Sequence, residues 1–144
     1  MNLYEMPSRG CDAQGCGHYG APRGGRIHRG VDLACEGKIP VGSPVRGVVT
    51  KLGWPYVGNF DIRYVQISCE KYRYRVFYVS PTVAVGDTVE LGDIIGAAQS
   101  LKQLYPGITD HVHLEVKDPD GAFVDPTPLL QVMRSLYCIG LRLP

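Results

Sequence analysis

The sequence predicts a mostly β domain built from antiparallel strands. Glycine and proline, with 18 and 11 residues, make up about a fifth of the 144-residue chain, which favours many turns and short strands over long helices. Side chains along residues 62–80 alternate with a period of two, as expected for half-buried strands. A chain of this length is expected to form one domain that buries about two thirds of its unfolded surface.

The first 27 residues are predicted to be a loop-rich N-terminal arm. Residues 15–26, GCGHYGAPRGGR, are dense in glycine, proline and arginine and show no sustained period. Cys11 and Cys16 are close enough in sequence to close a short loop, and the neighbouring glycines are flexible enough to allow it. Because the chain has five cysteines, at least one stays unpaired in a monomer, and a Cys11–Cys16 disulfide depends on an oxidising compartment.

Residues 28–130 are the predicted β domain. Two alternating runs flank a turn at residues 69–71 and predict an antiparallel hairpin. Gly/Pro punctuation and short apolar runs predict further strands in three segments. These segments are residues 39–54, 83–98 and 111–117.

An internal echo supports a sandwich of two sheets. The form x-Val-Gly-[Ser/Asp]-[Pro/Thr]-Val occurs at residues 40–45 and again at residues 84–89, 44 positions later. Two copies are too few for a solenoid. They predict two equivalent turns in a pseudo-symmetric antiparallel β-sandwich of the barrel-sandwich type.

Residues 131–144 are the predicted C-terminal tail, and a short amphipathic helix is expected to lead into it over residues 127–139. One face of this helix is expected to carry four apolar side chains. They are Leu129, Val132, Met133 and Leu136.

Charge and hydropathy argue against several classes of partner. Lys and Arg number 15 against 14 Asp and Glu, and this balance disfavours an electrostatic nucleic-acid binder. No apolar run approaches the roughly 18 residues of a membrane span. The start, MNLYEMPSRG, lacks a cationic segment followed by an apolar run, so we expect no cleavable signal peptide. Action outside the cytoplasm then requires delivery by a pore, a phage particle, cell lysis or a signal already removed.

Two short motifs contain the residues best suited to chemistry. His28 and Asp32 lie four residues apart across a glycine. His111 and His113 lie two residues apart, so they share one face of a predicted strand. Imidazole and carboxylate groups are common ligands of zinc. Three protein ligands leave the fourth tetrahedral position for a water molecule, and the ion lowers the pKa of that water toward 7. Either cluster alone is more often a set of satisfied histidines, so the prediction of a metal site rests on their joint presence.

Four segments resemble the lysostaphin/LytM-type zinc endopeptidases, in the order that this family has them between residues 24 and 130. Residues 28–32 match its H-x-G-[VI]-D motif, and residues 42–49 match the strand turn that follows. Residues 85–96 match its V-x-x-G-x-x-V-x-x-G-x-x-I-G segment, and residues 111–116 match its H-L-H-F-E-[IV] strand. The resemblance implies a barrel-sandwich of the duplicated hybrid motif.

The resemblance also implies a role for each matched residue. His28, Asp32 and His113 would bind Zn²⁺, and His111 would be the general base or a hydrogen-bond donor to the transition state. Substrates of this family are the peptide stems or cross-bridges of bacterial peptidoglycan, which implies action in the periplasm, the cell wall or a virion. A phage tail or virion is then a conceivable partner.

One family position departs from the pattern. The family has a further histidine in a Tyr-x-His-Leu strand, and Ser80 stands where that histidine is expected. Tyr78 is predicted to lie on the same strand face and to offer a hydroxyl instead. Tyr78 and Ser80 therefore join His111 as candidate catalytic residues. Loss of a positioned acid or base costs about 10²–10⁴-fold in rate, which predicts reduced activity.

Three further segments are similar to the leukocyte cell-derived chemotaxin subgroup of the same family. They are residues 10–20, 76–81 and 105–113. This likeness supports a Cys11–Cys16 disulfide. It also supports an alternative to the zinc peptidoglycan endopeptidase: a non-catalytic zinc-binding recognition or signalling module on the same fold.

Overall fold

A computed structural model describes residues 1–138 and residue 140, and it confirms the mostly antiparallel β fold. A seven-stranded sheet faces a three-stranded sheet, and two small hairpins lie in the arm. The strands are β1 (Cys11–Asp12), β2 (Gly15–Cys16), β3 (Pro22–Arg23), β4 (Arg26–Ile27), β5 (Val31–Ala34), β6 (Pro40–Gly42), β7 (Gly47–Gly53), β8 (Tyr64–Cys69), β9 (Tyr72–Phe77), β10 (Val79–Pro81), β11 (Thr88–Val89), β12 (Ile94–Ala98), β13 (His111–Lys117) and β14 (Phe123–Val124). The helices are a 3₁₀ turn (Leu3–Glu5) and α1 (Thr127–Cys138).

The larger sheet runs in the order β11-β7-β8-β9-β13, and the far side of β13 is shared by β5 and β14. β5 pairs with the first half of β13, which places Asp32 opposite His113. β14 pairs with the second half, with Val124 opposite Val116. The smaller sheet runs β10-β12-β6, and neither sheet closes into a barrel within the residues that are described.

The predicted hairpin is present as β8 and β9. Its turn consists of Glu70 and Lys71, which have φ values of 49° and 69°. Two successive residues with positive φ are typical of the tight turns whose twist matches that of antiparallel strands. Short-range periodicity therefore predicted this element correctly.

The two Val-Gly echoes do not form equivalent turns. Residues 40–42 form strand β6 and pair with β12, whereas Val85 and Gly86 form a turn in which Gly86 has a φ of 98°. Gly42 lies in an extended strand and Gly86 in a turn with positive φ. Glycine occurs in both because it adopts positive and negative φ values about equally readily. The expected equivalence of the two turns was wrong, whereas the predicted sandwich of two sheets is present.

The hydrophobic core lies between the two sheets. Inward positions of the large sheet and of the small sheet are fully or nearly fully buried in one cluster. The principal members are Val65, Ile67, Val76, Val112, Leu114, Val41, Val79 and Ile95. Since successive side chains of a strand point to opposite faces, the histidines of β13 lie on the outer face of the large sheet.

The arm packs onto this core. Leu3 and Met6 are fully buried within the cluster, and Tyr4 packs beside the ring of Tyr137 in α1. Arg134 of α1 donates hydrogen bonds to the carbonyl oxygens of Tyr4 and Met6, at 3.0 and 2.7 Å. The N-terminal segment and α1 therefore stabilise each other.

Helix α1 confirms the short C-terminal helix but presents a different face. Leu130 and Met133 are buried, whereas Leu129 and Val132 are exposed by 41% and 57%. The partner of the helix is the 3₁₀ turn, and the helix side that faces this turn decides which apolar residues are buried. Ile139 and residues 141–144 of the predicted tail lie outside the described residues. No described helix combines the length and the apolar character that crossing a membrane requires.

The Cys11–Cys16 disulfide is present and joins the strands of the β1–β2 hairpin. Among the described residues, Cys35, Cys69 and Cys138 are free thiols. The cross-link closes a loop that covers the outer face of the large sheet, where Gly17 meets Asp32 through a backbone hydrogen bond of 2.8 Å.

Replacing Cys11 and Cys16 by serine is expected to lower the free energy of unfolding by about 2 kcal/mol, because a short loop in the unfolded chain is no longer closed. Urea denaturation of the oxidised protein measures this difference. The matched control is Cys138→Ser, which changes an exposed thiol on α1 and is expected to alter stability by less than about 0.5 kcal/mol. Equal midpoints for the double variant and the control would contradict the prediction.

Candidate metal centre

Three predicted ligands meet on the outer face of the large sheet. Nε2 of His28 lies 3.0 Å from Nδ1 of His113 and 3.2 Å from Oδ1 of Asp32. Nδ1 of His113 lies 2.9 Å from the same oxygen. Donors at about 2.0–2.1 Å from a tetrahedral ion lie roughly 3.3 Å apart, so this trio fits a small divalent cation after a slight expansion. His28, Asp32 and His113 can therefore hold a metal ion.

Two elements bring these side chains together. Asp32 and His113 are directly paired residues of β5 and β13, and His28 follows β4 at the start of the loop that leads into β5. Gly30 in that loop passes closely over β13: a Cβ there would lie 2.6 Å from Cε1 of His113. The glycine of the His-x-Gly-x-Asp pattern is thus required by the close approach of the loop to a ligand ring.

Each imidazole has a partner that sets its orientation. Nδ1 of His28 donates to the carbonyl oxygen of His18 at 2.9 Å, which leaves Nε2 facing the cluster. Nε2 of His113 lies 3.4 Å from a carboxylate oxygen of Glu115, which leaves Nδ1 facing Asp32. Such partners fix the tautomer and ring angle of metal-binding histidines.

The electrostatics of the trio favour an ionised aspartate. Burial opposes ionisation of Asp32, but hydrogen bonds from His113 and His28 hold the pKa of its carboxyl far below its usual range. Burial likewise disfavours a charged His113, yet the carboxylates of Asp32 and Glu115 raise the pKa of this imidazole above its ordinary value. A cation at this position would replace the proton that the carboxylates attract.

His111 lies beside the trio without joining it. Its Nδ1 donates to the carbonyl oxygen of Thr109 at 2.7 Å, and its Nε2 lies 3.6 Å from Oδ2 of Asp32. Burial lowers the pKa of His111 below its ordinary value. A neutral imidazole in this orientation presents an unprotonated Nε2 that can accept a proton.

Tyr78 lies beside the ring of His111. Its ring stands edge-on to the imidazole, with centroids 5.3 Å apart, and its hydroxyl lies 3.1 Å from that of Tyr56. Burial raises the pKa of Tyr78, so its hydroxyl stays protonated at neutral pH. The side chain can donate a hydrogen bond into the cleft.

Ser80, the remaining predicted site residue, is exposed on β10 and is absent from the residues that line the cleft. Tyr78 has a φ of 69°, so the chain turns sharply between β9 of the large sheet and β10 of the small one. Alternation along one continuous strand therefore does not extend from Tyr78 to Ser80. Of Tyr78 and Ser80, only Tyr78 lies beside His111.

His28, Asp32, His113, His111 and Tyr78 line an open cleft of about 680 Å³. The lining includes the aromatic side chains of Tyr56, Tyr78 and Tyr105 and the cationic side chains of Arg26 and Arg29. Sequence reasoning missed Glu115 and the buried Arg9. The spacing of Glu115, two residues after His113 on a strand, could have revealed the former; the arm has no periodicity that could have revealed the latter.

The sequence is similar to those of known proteins. The model of peptidase family M23 matches residues 26–126. Leukocyte cell-derived chemotaxin-2 of Bos taurus is 34% identical over 123 residues, which cover 85% of this chain and 78% of that protein.

Two solved structures share the fold and carry 25% identity. The catalytic domain of the antimicrobial peptidase lysostaphin from Staphylococcus simulans has a TM-score of 0.61, covering 90% of this chain and 95% of the other. LytU has a TM-score of 0.63, covering 87% of this chain and 86% of the other. With a family model that matches residues 26–126 and a relative at 34% identity that is covered over 78% of its length, the chain belongs to peptidase family M23.

Proposed function

We propose that the protein is a zinc-dependent endopeptidase that hydrolyses peptide bonds in the stems or cross-bridges of bacterial peptidoglycan. One observation carries the proposal. The candidate ligand atoms of His28, Asp32 and His113 converge within 4.8 Å of one another, beside Nε2 of His111 and in the lining of an open cleft. This combination suits a metal site that works on a bound substrate.

The donor set favours zinc. Two imidazole nitrogens and one carboxylate oxygen are the ligands of catalytic zinc sites, which keep a fourth position open. When bound there, zinc supplies Lewis acidity that polarises a carbonyl oxygen and acidifies water. His28, Asp32 and His113 hold the ion, and their partners His18 and Glu115 keep the ligand nitrogens turned toward it.

Proton transfer falls to His111, with Tyr78 as its neighbour. His111 is neutral, is fixed by the Thr109 carbonyl, and accepts a proton at Nε2. Tyr78 donates a hydrogen bond to the substrate through a hydroxyl that stays protonated. A phenol replaces an imidazole poorly in proton transfer near neutral pH, so we expect turnover about 10²–10⁴-fold below that of a site with two histidines.

The substrate and the place of action follow from the cleft and the arm. Arg26 and Arg29 in the lining of the cleft suit the carboxylates of peptide stems. The Cys11–Cys16 disulfide favours an oxidising, extracytoplasmic setting such as the periplasm, the cell wall or a virion. The comparisons lend no support to a phage tail or virion as a physical partner.

A second candidate is a non-catalytic zinc-binding recognition or signalling module. Two observations favour it: a tyrosine pair, Tyr56 and Tyr78, takes the place of a second histidine, and the chain is more similar in sequence to leukocyte cell-derived chemotaxin-2 than to lysostaphin. In such a module the metal would stabilise the fold and the cleft would hold a ligand without cleaving it.

The purified chain is expected to bind one zinc ion, and His113→Ala is expected to abolish tight binding, because it removes a ligand and leaves Oδ1 of Asp32 without its nearest partner. Competition with a chromogenic chelator measures the affinity. His18→Ala is the matched control: its imidazole is exposed, and the backbone carbonyl that orients His28 is retained. Equal zinc affinities for His113→Ala and the wild type would contradict the assignment of His113 as a zinc ligand.

Zinc-loaded protein is expected to release soluble muropeptides from purified peptidoglycan, slowly, and His111→Ala is expected to reduce the rate about 10²–10⁴-fold because the proton acceptor is lost. Tyr78→His is expected to raise the rate, since it supplies a second imidazole at the same side of the cleft. Chromatography of the released fragments measures both effects.

The control for these assays is zinc content, which should equal that of the wild type in both variants. Folded, zinc-bound protein that releases no fragments, including after Tyr78→His, would reject the peptidoglycan endopeptidase and leave the binding module. The identity of any released fragments would name the bond that is cleaved.

A further inference from the structure

The arm places a buried cation directly against a metal ligand. NH1 of Arg9 lies 2.9 Å from Oδ2 of Asp32, and both side chains are only 3% exposed. The backbone joins the same two residues, since the amide of Arg9 donates to the carbonyl oxygen of Asp32 at 3.0 Å. Arg9 lies outside residues 26–126, the part of the chain that the family model matches.

The rest of the Arg9 guanidinium is held by Asp12. Nε and NH2 of Arg9 donate to the two oxygens of this carboxylate at 2.8 and 2.7 Å. Asp12 also accepts hydrogen bonds from the backbone amides of Gln14 and Thr109, each at 2.8 Å. The planar, forked guanidinium is thus fixed on one side by Nε and NH2 and presents its third nitrogen, NH1, to Asp32.

The same carboxylate is connected to His111. The amide of Thr109 donates to Asp12, and the carbonyl oxygen of Thr109 accepts the Nδ1 proton of His111 at 2.7 Å. Asp12 therefore anchors two chains of contacts, one that ends at Oδ2 of Asp32 and one that ends at the imidazole of His111. Both chains begin in the loop that the Cys11–Cys16 disulfide closes.

The disulfide-closed loop and Gly17, which follows it, pack tightly against Asp32. A Cβ at Gly17 would lie 2.8 Å from Cβ of Asp32 and 2.9 Å from Cβ of Arg9. The amide of Asp32 donates to the carbonyl oxygen of Gly17 at 2.8 Å. The aspartate is thus held by the arm at its backbone and at one of its two carboxylate oxygens.

We propose that Arg9 is a positioning residue of the metal centre: by binding Oδ2 of Asp32 it fixes the rotation of the carboxylate so that Oδ1 alone faces the nitrogens of His28 and His113. The inference rests on the proposed metal binding by those three ligands. It assigns to the arm, through Arg9 and its anchor Asp12, a direct part in the affinity and coordination of the ion.

Without Arg9 the second oxygen of Asp32 is free to turn toward the ion or toward His111, from which it is separated by 3.6 Å. The nearer of the two cations beside this oxygen is lost as well; the other, Arg23, has its NH2 3.7 Å from Oδ2 of Asp32, beyond the 2.9 Å of Arg9. Partners that hold a metal-binding carboxylate typically contribute 10–100-fold to metal affinity. A loss of this size, with a change in how Asp32 coordinates, is the expected signature of a positioning role.

The test compares Arg9→Met, Arg9→Lys and the control Arg134→Met. Arg134 is also a partly buried arginine that holds the arm, but it does so through the carbonyls of Tyr4 and Met6 and does not touch Asp32. Zinc affinity is measured by chelator competition. Coordination is measured by the visible absorption of the cobalt-substituted protein, whose intensity falls when the number of ligands rises above four.

We expect Arg9→Met to bind zinc roughly 10–100-fold more weakly than the wild type and to show a weaker, shifted cobalt spectrum. Arg9→Lys should recover part of the affinity, because a single ammonium restores the charge but not the fork that spans Asp12 and Asp32. Arg134→Met should lower the midpoint of thermal unfolding and leave the affinity and the spectrum unchanged.

Wild-type affinity and an unaltered cobalt spectrum in folded Arg9→Met would overturn the inference. Equal losses of affinity in Arg9→Met and Arg134→Met would also overturn it, since they would reduce Arg9 to a general stabiliser of the arm. A wild-type protein that binds no zinc would instead refute the metal site of the proposed function, and the inference with it.

Discussion

The antiparallel pairing of β5 with β13 is the constraint on which the site depends. It sets Asp32 opposite His113, and Val31 opposite Leu114, in adjacent rows of the ladder. A slip of one residue would move a ligand to the opposite face of the sheet, because side chains alternate with a period of two. The apolar residues of both strands are buried in the core, so hydrophobic burial fixes the register, and the register fixes the two ligands.

This arrangement has a cost, which the arm offsets. Ionisable side chains on the outer face of the sheet, Asp32 and the two histidines of β13, are nearly as buried as the core behind them. Buried charges are tolerated only when they are paired and hydrogen-bonded. Arg9, Asp12 and the backbone of the disulfide-closed loop supply those partners, and within the described residues no buried side-chain polar atom lacks one. A loop without secondary-structure periodicity is therefore part of the electrostatics of the site.

The sequence allowed the fold class and the β8–β9 hairpin to be predicted, because both depend on short-range spacing along a strand or a turn. The grouping of His28, Asp32 and His113 was implied by the family resemblance; the three residues do meet in one cluster, and their binding of an ion stays a prediction. The errors arose where tertiary contacts decide. Leu129 and Val132 are apolar but exposed, since the position of the 3₁₀ turn selects the buried side of α1. Ser80 is exposed and absent from the lining of the cleft, because the backbone turns at Tyr78. Arg9 lies 23 residues from Asp32 in a segment without a pattern, so only the folded chain could reveal their contact.

Metal binding and hydrolysis separate within this site. The binding energy of an ion held by the trio His28, Asp32 and His113 would also be folding energy, so metal binding would have a structural value that does not depend on turnover. Hydrolysis adds a requirement for protons: one group must accept a proton from water and then deliver one to the leaving amine. A single imidazole can perform both steps in turn. His111 has the orientation for the first step, whereas the Tyr78 hydroxyl stays protonated and can donate a hydrogen bond without readily cycling its proton. The two candidate functions therefore share the trio and the arm, and they differ in whether His111 alone completes the proton transfers.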